Sequence, residues 1–194
     1  QLITIGARTG VGKTAYGINL AIQAMTKQPD LITDFYTLEM SQDQMLDRFI
    51  SRLSEINSYK LRNPNRTLKD EEKALIVAKS HELLKTHLRI YDNKFNLRDI
   101  EIEIRRRHAQ ARGKPYIVFI DYLQLIEVNS RSDQRHVIVG EITRRLKLLT
   151  NELDIPIVIF AQLSRGLENR SDKRPVLADL RESGSIEQDS NVVM

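Results

Sequence analysis

The sequence predicts an α/β domain with a mostly parallel, twisted sheet flanked by helices. Short apolar runs alternate along the chain with longer segments whose apolar residues recur at helical spacing. Two of the runs, residues 116–121 and 156–161, are apolar almost throughout, which is typical of strands covered on both faces. A glycine-containing loop at residues 7–14 joins the first run to the first helical segment. This alternation implies right-handed crossovers between parallel strands.

Periodicity and stop signals place the elements in order. Ser41 followed by Gln44 has the spacing of a capping box, and Thr67 with Asp70 is expected to cap the third helix. Strands are predicted at residues 2–5, 35–38, 88–91, 116–121, 156–161 and 191–194. Helices are predicted at residues 15–29, from 41 onwards, and at 70–85, 97–111 and 133–152, with a break at 63–65 and a short helical piece near 178.

Residues 97–111 fit two kinds of structure. Ile100, Ile102 and Ile104 alternate with glutamates as they would in a strand. The segment also has helical spacing, with Asn96 as its cap and Gly113 as its stop. We favour the helix because the segment is longer than a usual strand.

The composition indicates one globular domain covering residues 1–194. Hydrophobic residues make up 41% of the 194 residues and charged residues 29%. The chain has no cysteine, which excludes disulfides and thiolate metal sites, and no apolar run approaches the ~20 residues of a membrane span. A net charge of +4 permits nucleic acid as a partner without requiring it. Because predicted strands lie at both termini, we expect the chain to be cut at both ends from a longer protein.

The loop after the first strand has the features of a phosphate-binding loop. Its residues are Ala7, Arg8, Thr9, Gly10, Val11, Gly12, Lys13 and Thr14. Two glycines allow backbone N–H groups to turn inward around an anion, and the following helix adds the positive end of its dipole. Lys13 is then expected to contact the β- and γ-phosphates, and the Thr14 hydroxyl to bind Mg²⁺. Ala7 stands where the strict pattern has glycine, but the flanking strand and helix disfavour a chance match.

Three further polar residues close predicted strands, at the edge of the sheet where ligands of open α/β folds bind. Asp121 is expected in the Mg²⁺ shell, with a helix cap or turn as its alternative. Tyr122 stands where many ATPases carry a water-activating glutamate, so Glu39 is the candidate general base, with an exposed strand-end acid as the alternative. Gln162 is either a sensor of the γ-phosphate or an ordinary loop glutamine.

Basic residues cluster after the strand at 156–161. A solvated loop is the plain interpretation, and a groove that follows a nucleic-acid backbone is the alternative. None of the four histidines has a partner at metal-ligand spacing, so no metal beyond Mg²⁺ is expected. The cluster consists of Arg165, Arg170, Lys173, Arg174 and Arg181.

Five segments together resemble the motifs of DnaB-type replicative DNA helicases. The resemblance spans essentially the whole chain, its last segment is highly specific, and Ala7 is similar to the family's own variant of the loop. The segments are residues 7–14, 37–41 (Thr-Leu-Glu-Met-Ser), 120–126 (Ile-Asp-Tyr-Leu-Gln-Leu-Ile), 161–165 (Ala-Gln-Leu-Ser-Arg) and 172–189. The resemblance implies a RecA-like P-loop ATPase core of a homo-hexameric ring. Such a ring encircles single-stranded DNA and moves 5′ to 3′ while it unwinds the replication fork.

By position, the resemblance implies ATP and Mg²⁺ as ligands. Lys13 and Thr14 would bind phosphate and Mg²⁺, Asp121 would belong to the Mg²⁺ shell, Glu39 would activate water and Gln162 would sense the γ-phosphate.

The resemblance also implies partners and missing parts. Arg181, Glu182 and Gly184 would belong to a loop that follows the DNA backbone. A primase and a helicase loader would be partners, in the cytoplasm of a bacterial or phage-infected cell and away from any membrane. A collar domain would precede residue 1, and the Lys and Arg that reach a neighbour's ATP would follow residue 194.

Three other functions share parts of this pattern. A RecA-like strand-exchange or repair ATPase would have the core but not the segment at 172–189. A non-motor ATP switch, such as a helicase loader, would bind nucleotide without DNA-stimulated turnover. A small-molecule phosphotransferase would need only the phosphate loop and would respond to an acceptor such as a nucleoside.

Overall fold

The computed structural model describes residues 1–129, 134–164, 172, 174–180 and 184–194. The strands within these residues are β1 (Leu2–Ala7), β2 (Ile32–Thr37), β3 (His87–Tyr91), β4 (Tyr116–Asp121), β5 (Ile157–Gln162) and β6 (Val192–Val193). The helices are α1 (Lys13–Lys27), α2 (Gln42–Ser54), α3 (Ser58–Leu61), α4 (Pro64–Thr67), α5 (Asp70–Leu84), α6 (Leu97–Ala111), α7 (Arg135–Leu153) and α8 (Gly184–Asp189), with short 3-10 helices at Leu123–Leu125 and Leu177–Asp179. No helix in the described part of the chain is long and apolar enough to cross a bilayer.

The described strands form one parallel sheet in the order β3-β2-β4-β5-β1-β6. Thr37 at the end of β2 pairs with Asp121 at the end of β4. Ala7 at the end of β1 pairs with Gln162 at the end of β5. The carboxyl ends of four neighbouring strands therefore lie together at one edge of the sheet. The predicted α/β class and the parallel sheet are confirmed.

The sheet carries a hydrophobic core on each face. In β5, Ile159 belongs to the core that includes α6 and α7, whereas Phe160 belongs to the core that includes α1 and α2. In the second core, Phe35 stacks on Phe119 with ring centroids 5.5 Å apart and meets Phe49 edge-on at 5.9 Å. Burial on both faces explains why the strands read as apolar runs rather than as alternating patterns.

Residues 97–111 are helical, as predicted. Ile100 and Ile104 are fully buried, whereas Ile102 is 52% exposed. A strand would have placed all three on the same face, but a helix turns Ile102 away from the other two. The Asn96 side chain accepts a hydrogen bond from the Arg98 N–H over 3.0 Å and caps the helix.

Several predicted boundaries are wrong, and polar side chains explain the largest error. Strand β2 begins at Ile32, three residues before the predicted run. The apolar pattern missed these residues because they include Asp34, a charged residue that is fully buried. The Asp34 carboxylate accepts a 2.7 Å hydrogen bond from the Tyr116 hydroxyl and lies 3.2 Å from the Arg107 guanidinium. Burial raises the pKa of Asp34, and the hydrogen bond from Tyr116 and the charge of Arg107 oppose that rise. A buried polar network of this kind leaves no apolar signal in the sequence.

The predicted cap of the third helix is also wrong. Thr67 ends α4, and its hydroxyl donates to the carbonyls of Lys60 and Asn63. At the start of α5, the Glu72 carboxylate instead accepts from the Lys69 N–H over 2.9 Å. The short helices α3, α4 and α8 were not predicted, because segments of four to six residues carry too little periodicity. The capping box of Ser41 and Gln44 at α2 is confirmed.

Gly17 permits the close contact that fixes α1 on the sheet. A Cβ built at Gly17 would lie 2.5 Å from Cζ of Phe160 in β5. Because α1 begins directly after the phosphate loop, this contact also sets the position of the loop.

We expect Gly17→Ala to lower the free energy of unfolding by about 1–2 kcal/mol. Overpacking against Phe160 should outweigh the ~1 kcal/mol that alanine normally gains over glycine inside a helix. Urea titration measures the change. The comparison is Gly140→Ala in α7, where, among the described atoms, a new Cβ would meet the Ser185 side chain at 3.2 and 3.3 Å, a much milder contact than at Gly17. A Gly17→Ala protein as stable as the wild type would show that α1 moves off the sheet without penalty.

Candidate nucleotide-binding site

The loop between β1 and α1 has the backbone of an anion-binding turn. Gly10 has φ +81° and Gly12 has φ +96°, a left-handed conformation that favours glycine. Gly12 precedes α1, and its carbonyl accepts from the Tyr16 N–H over 2.9 Å. No described side chain caps α1 at Gly12, so the first N–H groups and the positive end of the helix dipole face the loop.

The loop opens onto a cavity of about 580 Å³. The cavity lies at the edge of the sheet where β1, β2, β4 and β5 end, and it brings together most of the predicted site residues. Val11 does not belong to its lining and is 66% exposed. The lining consists of residues 7–10 and 12–14 of the loop with Glu39, Met40, Arg48, Tyr122 and Gln162.

Asp121 lies behind the loop and holds its two functional side chains. The Thr14 hydroxyl donates to Oδ2 of Asp121 over 2.6 Å, and the Lys13 Nζ lies 3.0 Å from Oδ1. The Tyr122 ring covers the same ammonium, with Nζ 3.7 Å from the ring centroid. Asp121 is only 2% exposed, so Lys13 is held between a buried carboxylate and an aromatic face.

The oxygen atoms of Thr14 and Asp121 fit Mg²⁺. Both are hard ligands, and Oδ1 of Asp121 already faces a cation, the Lys13 ammonium at 3.0 Å. The described residues contain no group of three His, Cys, Asp or Glu side chains that could enclose a metal. Mg²⁺ suits such a sparse site, because it binds through one or two protein ligands together with phosphate oxygens and water.

Glu39 lies at the tip of a tight turn after β2. The Thr37 hydroxyl donates to the Met40 carbonyl over 3.0 Å and accepts from the Met40 N–H over 3.3 Å. The Leu38 N–H donates to the Asp121 carbonyl over 2.7 Å, which ties the turn to the end of β4. The Glu39 side chain is exposed and lines the cavity. Burial raises the pKa of Tyr122, and the carboxylates of Glu39 and Asp121 raise it further.

Gln162 reaches the phosphate loop from the end of β5. Its Nε2 donates to the Thr9 hydroxyl over 2.8 Å. The Gln124 side chain holds its main chain, with hydrogen bonds of 3.3 Å to the Gln162 carbonyl and 3.1 Å from the Gln162 N–H. A side-chain amide at this point can contact the terminal phosphate of a nucleotide bound in the cavity.

Arg48 belongs to the site although no sequence motif contains it. This exposed residue of α2 lines the cavity and adds a cation to it. Its position off the buried stripe of Met45 and Phe49 is visible in the helical spacing. The sequence does not say which side of the molecule that exposed face meets, so only the packing of α2 against α1 reveals its role.

The predicted DNA-facing residues are described only in part. Gly184 begins α8, which packs on α7, where the Thr143 hydroxyl donates to Asp189 over 2.7 Å. The exposed Arg174 also lies within the described residues. Arg165, Arg170, Lys173, Arg181 and Glu182 lie outside them.

Comparison with known proteins identifies the family. The whole chain, residues 1–194, matches the model of the DnaB-like helicase C-terminal domain. The chain belongs to this family. It is 42% identical to the replicative DNA helicase DnaB of Buchnera aphidicola subsp. Baizongia pistaciae (strain Bp) and 40% identical to the replicative DNA helicase DnaC of Bacillus subtilis (strain 168). Both alignments cover 100% of the chain, and the chain spans 42% of the length of each relative.

Solved structures of the DnaB type show the same fold. One is a DnaB-like replicative helicase reported with its interactions with primase. It superposes with a TM-score of 0.93 at 33% sequence identity, and the alignment covers 100% of this chain and 46% of the helicase chain. Another is a solved ATPase domain, which also gives a TM-score of 0.93 at 33% sequence identity, and the alignment covers 99% of this chain and 67% of the chain in that structure. The predicted RecA-like core is therefore confirmed.

We expect Arg48→Ala to weaken ADP binding about 10-fold or more. Loss of a charge-assisted contact to phosphate carries an effect of this size. Isothermal titration calorimetry measures the dissociation constant. The control is Arg98→Ala, an exposed arginine on α6, on the other face of the sheet. An Arg48→Ala protein that binds ADP like the Arg98→Ala control would place this guanidinium outside the nucleotide site.

Proposed function

We propose that this chain is the ATP-hydrolysing motor domain of a replicative DNA helicase. Residues 1–194 act as one RecA-like domain of a homo-hexameric ring, which moves 5′ to 3′ on single-stranded DNA and unwinds the duplex at the replication fork. One observation carries the proposal: Lys13, Glu39 and Gln162 line the same cavity, with Asp121 paired to Lys13 behind it. The chain's membership of the helicase family adds the DNA substrate.

The phosphate loop supplies most of the ATP-binding contacts. The phosphates lie against the backbone N–H groups of the loop and the start of α1, where the helix dipole favours negative charge. Lys13 turns from the Asp121 carboxylate towards the β- and γ-phosphates, and Arg48 neutralises charge from the α2 side of the cavity. Thr14 and Asp121 would hold Mg²⁺, which would supply positive charge to offset the negative charge of the phosphates.

Glu39 and Gln162 act on the terminal phosphate. Glu39 projects an exposed carboxylate into the cavity and accepts the proton of the attacking water. Gln162 donates to the γ-phosphate in place of its present contact with Thr9. Loss of that phosphate returns Gln162 to the loop, so the residue reports the state of the nucleotide.

DNA and protein partners follow from the relatives. The curated relatives are named replicative DNA helicases, and one solved relative is reported with its interactions with primase. We therefore propose single-stranded DNA as the substrate track, and a primase and a helicase loader as partners. Arg181, Glu182 and Gly184 contact the DNA backbone in this proposal. The net charge of +4 is compatible with a polyanionic partner.

Glu39→Gln should leave ATP binding intact and lower the hydrolysis rate by about 10²-fold or more, as expected for loss of a general base. Lys13→Ala should abolish turnover. The measurement is the ATPase rate of the full-length protein with and without single-stranded DNA, beside a mass measurement of its assembly. Gln23→Ala, an exposed change in α1, is the control. Normal turnover in Glu39→Gln would assign the base to another residue, and normal turnover in Lys13→Ala would refute the site.

Arg181→Ala should weaken single-stranded DNA binding evenly across sequences. The loss of one phosphate contact should reduce the slope of log K against log salt by roughly 0.7. Fluorescence anisotropy at several salt concentrations measures the slope, with Arg98→Ala as the control. An unchanged slope would return the basic loop to the solvated interpretation.

A further inference from the structure

On the side facing β4, the end of β5 is held by a side chain, while β1 pairs with its other side as far as Ala7 and Gln162. Main-chain pairing between β4 and β5 runs from Val118–Ile157 to Ile120–Ile159. Beyond that point the Gln124 amide takes over: its Nε2 donates to the Gln162 carbonyl over 3.3 Å, and its Oε1 accepts from the Gln162 N–H over 3.1 Å. One side chain thus satisfies both main-chain groups of the residue whose own amide reaches the phosphate loop.

Gln124 is itself firmly placed. It lies in the middle of the 3-10 helix Leu123–Leu125 and follows Leu123, which is fully buried. The Leu125 N–H donates to the Tyr122 carbonyl over 3.0 Å, and the Ile126 N–H donates to the Leu123 carbonyl over 3.1 Å. The segment after β4 therefore presents the Gln124 amide in a fixed position.

The contacts of Gln124 extend in two directions. Through Gln162 it reaches Thr9, because Gln162 Nε2 lies 2.8 Å from the Thr9 hydroxyl. In the other direction its own carbonyl accepts a hydrogen bond from the guanidinium of Arg135, the first residue of α7. A continuous series of hydrogen bonds consequently joins the phosphate loop to the start of α7.

We propose that Gln124 is a positioning residue for ATP hydrolysis. It sets the main chain of Gln162 so that the Gln162 side chain meets the terminal phosphate, and it links any movement of Gln162 to α7. Gln124 does not line the cavity, so it acts through Gln162 and not on the nucleotide. The inference rests on the proposed ATPase function, and it adds a residue that distinguishes triphosphate from diphosphate.

Two substitutions separate positioning from folding. Gln124→Leu keeps approximate size and removes both hydrogen bonds to Gln162. Gln124→Glu keeps an acceptor for the Gln162 N–H but cannot, when ionised, donate to its carbonyl. The matched controls are Gln110→Leu and Gln110→Glu, at an exposed position of α6.

The measurements use the full-length protein. They are the dissociation constants for ADP and for a non-hydrolysable ATP analogue, kcat and KM for ATP with and without single-stranded DNA, and Tm. We expect Gln124→Leu to bind ADP within about twofold of the wild type, because the phosphate loop is untouched, and to lose about tenfold in kcat, the size expected from two lost hydrogen bonds. Its preference for the triphosphate analogue over ADP should fall severalfold. Gln124→Glu should show a smaller loss in the same direction.

Two results would overturn the inference. A Gln124→Leu protein whose kcat and triphosphate preference both stay within about twofold of the wild type would show that Gln162 needs no positioning. A parallel fall in Tm and ADP affinity, with the preference unchanged, would make Gln124 a structural residue only. Failure of the proposed function gives a different result: the wild-type protein would then show no ATP hydrolysis above Lys13→Ala, and both proposals would fall together.

Discussion

The register of four parallel strands is the constraint on which the site depends. Strands β1 and β5 end together at Ala7 and Gln162, and strands β2 and β4 end together at Thr37 and Asp121. A slip of one residue would exchange the side chains that face the two cores. Burial of apolar side chains on both faces opposes such a slip, so the same packing that stabilises the sheet also aligns its polar ends. Each of these aligned strands continues into a part of the site: β1 into the phosphate loop, β2 into the turn that carries Glu39, and β4 into the 3-10 helix that carries Gln124.

At these strand ends, Lys13 and Asp121 stabilise each other as an ion pair. The two side chains are 12% and 3% exposed, so an unpaired charge at either position would be costly. The Tyr122 ring also stabilises the ammonium. In the proposed function, a bound triphosphate would give Lys13 a second anion and a divalent cation would give Asp121 a second partner, so this ion pair would couple the two binding events.

The hydrogen bonds of Gln124 connect two segments that local motifs describe separately. The segments after β4 and β5 are separate motifs in the sequence, although the Gln124 side chain joins them in the structure. Arg48 is a second example, since helix α2 brings it to the cavity formed by the phosphate loop at residues 7–14, far earlier in the chain. Both residues depend on how separate elements pack, which is why the sequence pattern gave no sign of either role.

The sequence by itself determined the local features of this protein. The strand-glycine loop-helix pattern, the helical spacing of residues 97–111 and the polar residues at strand ends reflect short-range stereochemistry and burial, and their motifs were sufficient to indicate the helicase family. Only the tertiary structure decided which strands are neighbours, where β2 begins around the buried Asp34, and which side chains meet Lys13. Those outcomes depend on contacts between residues far apart in the chain, such as the 107 positions between Thr14 and Asp121. These contacts contribute free energy only once the strands have assembled into the sheet, so no local pattern encodes them.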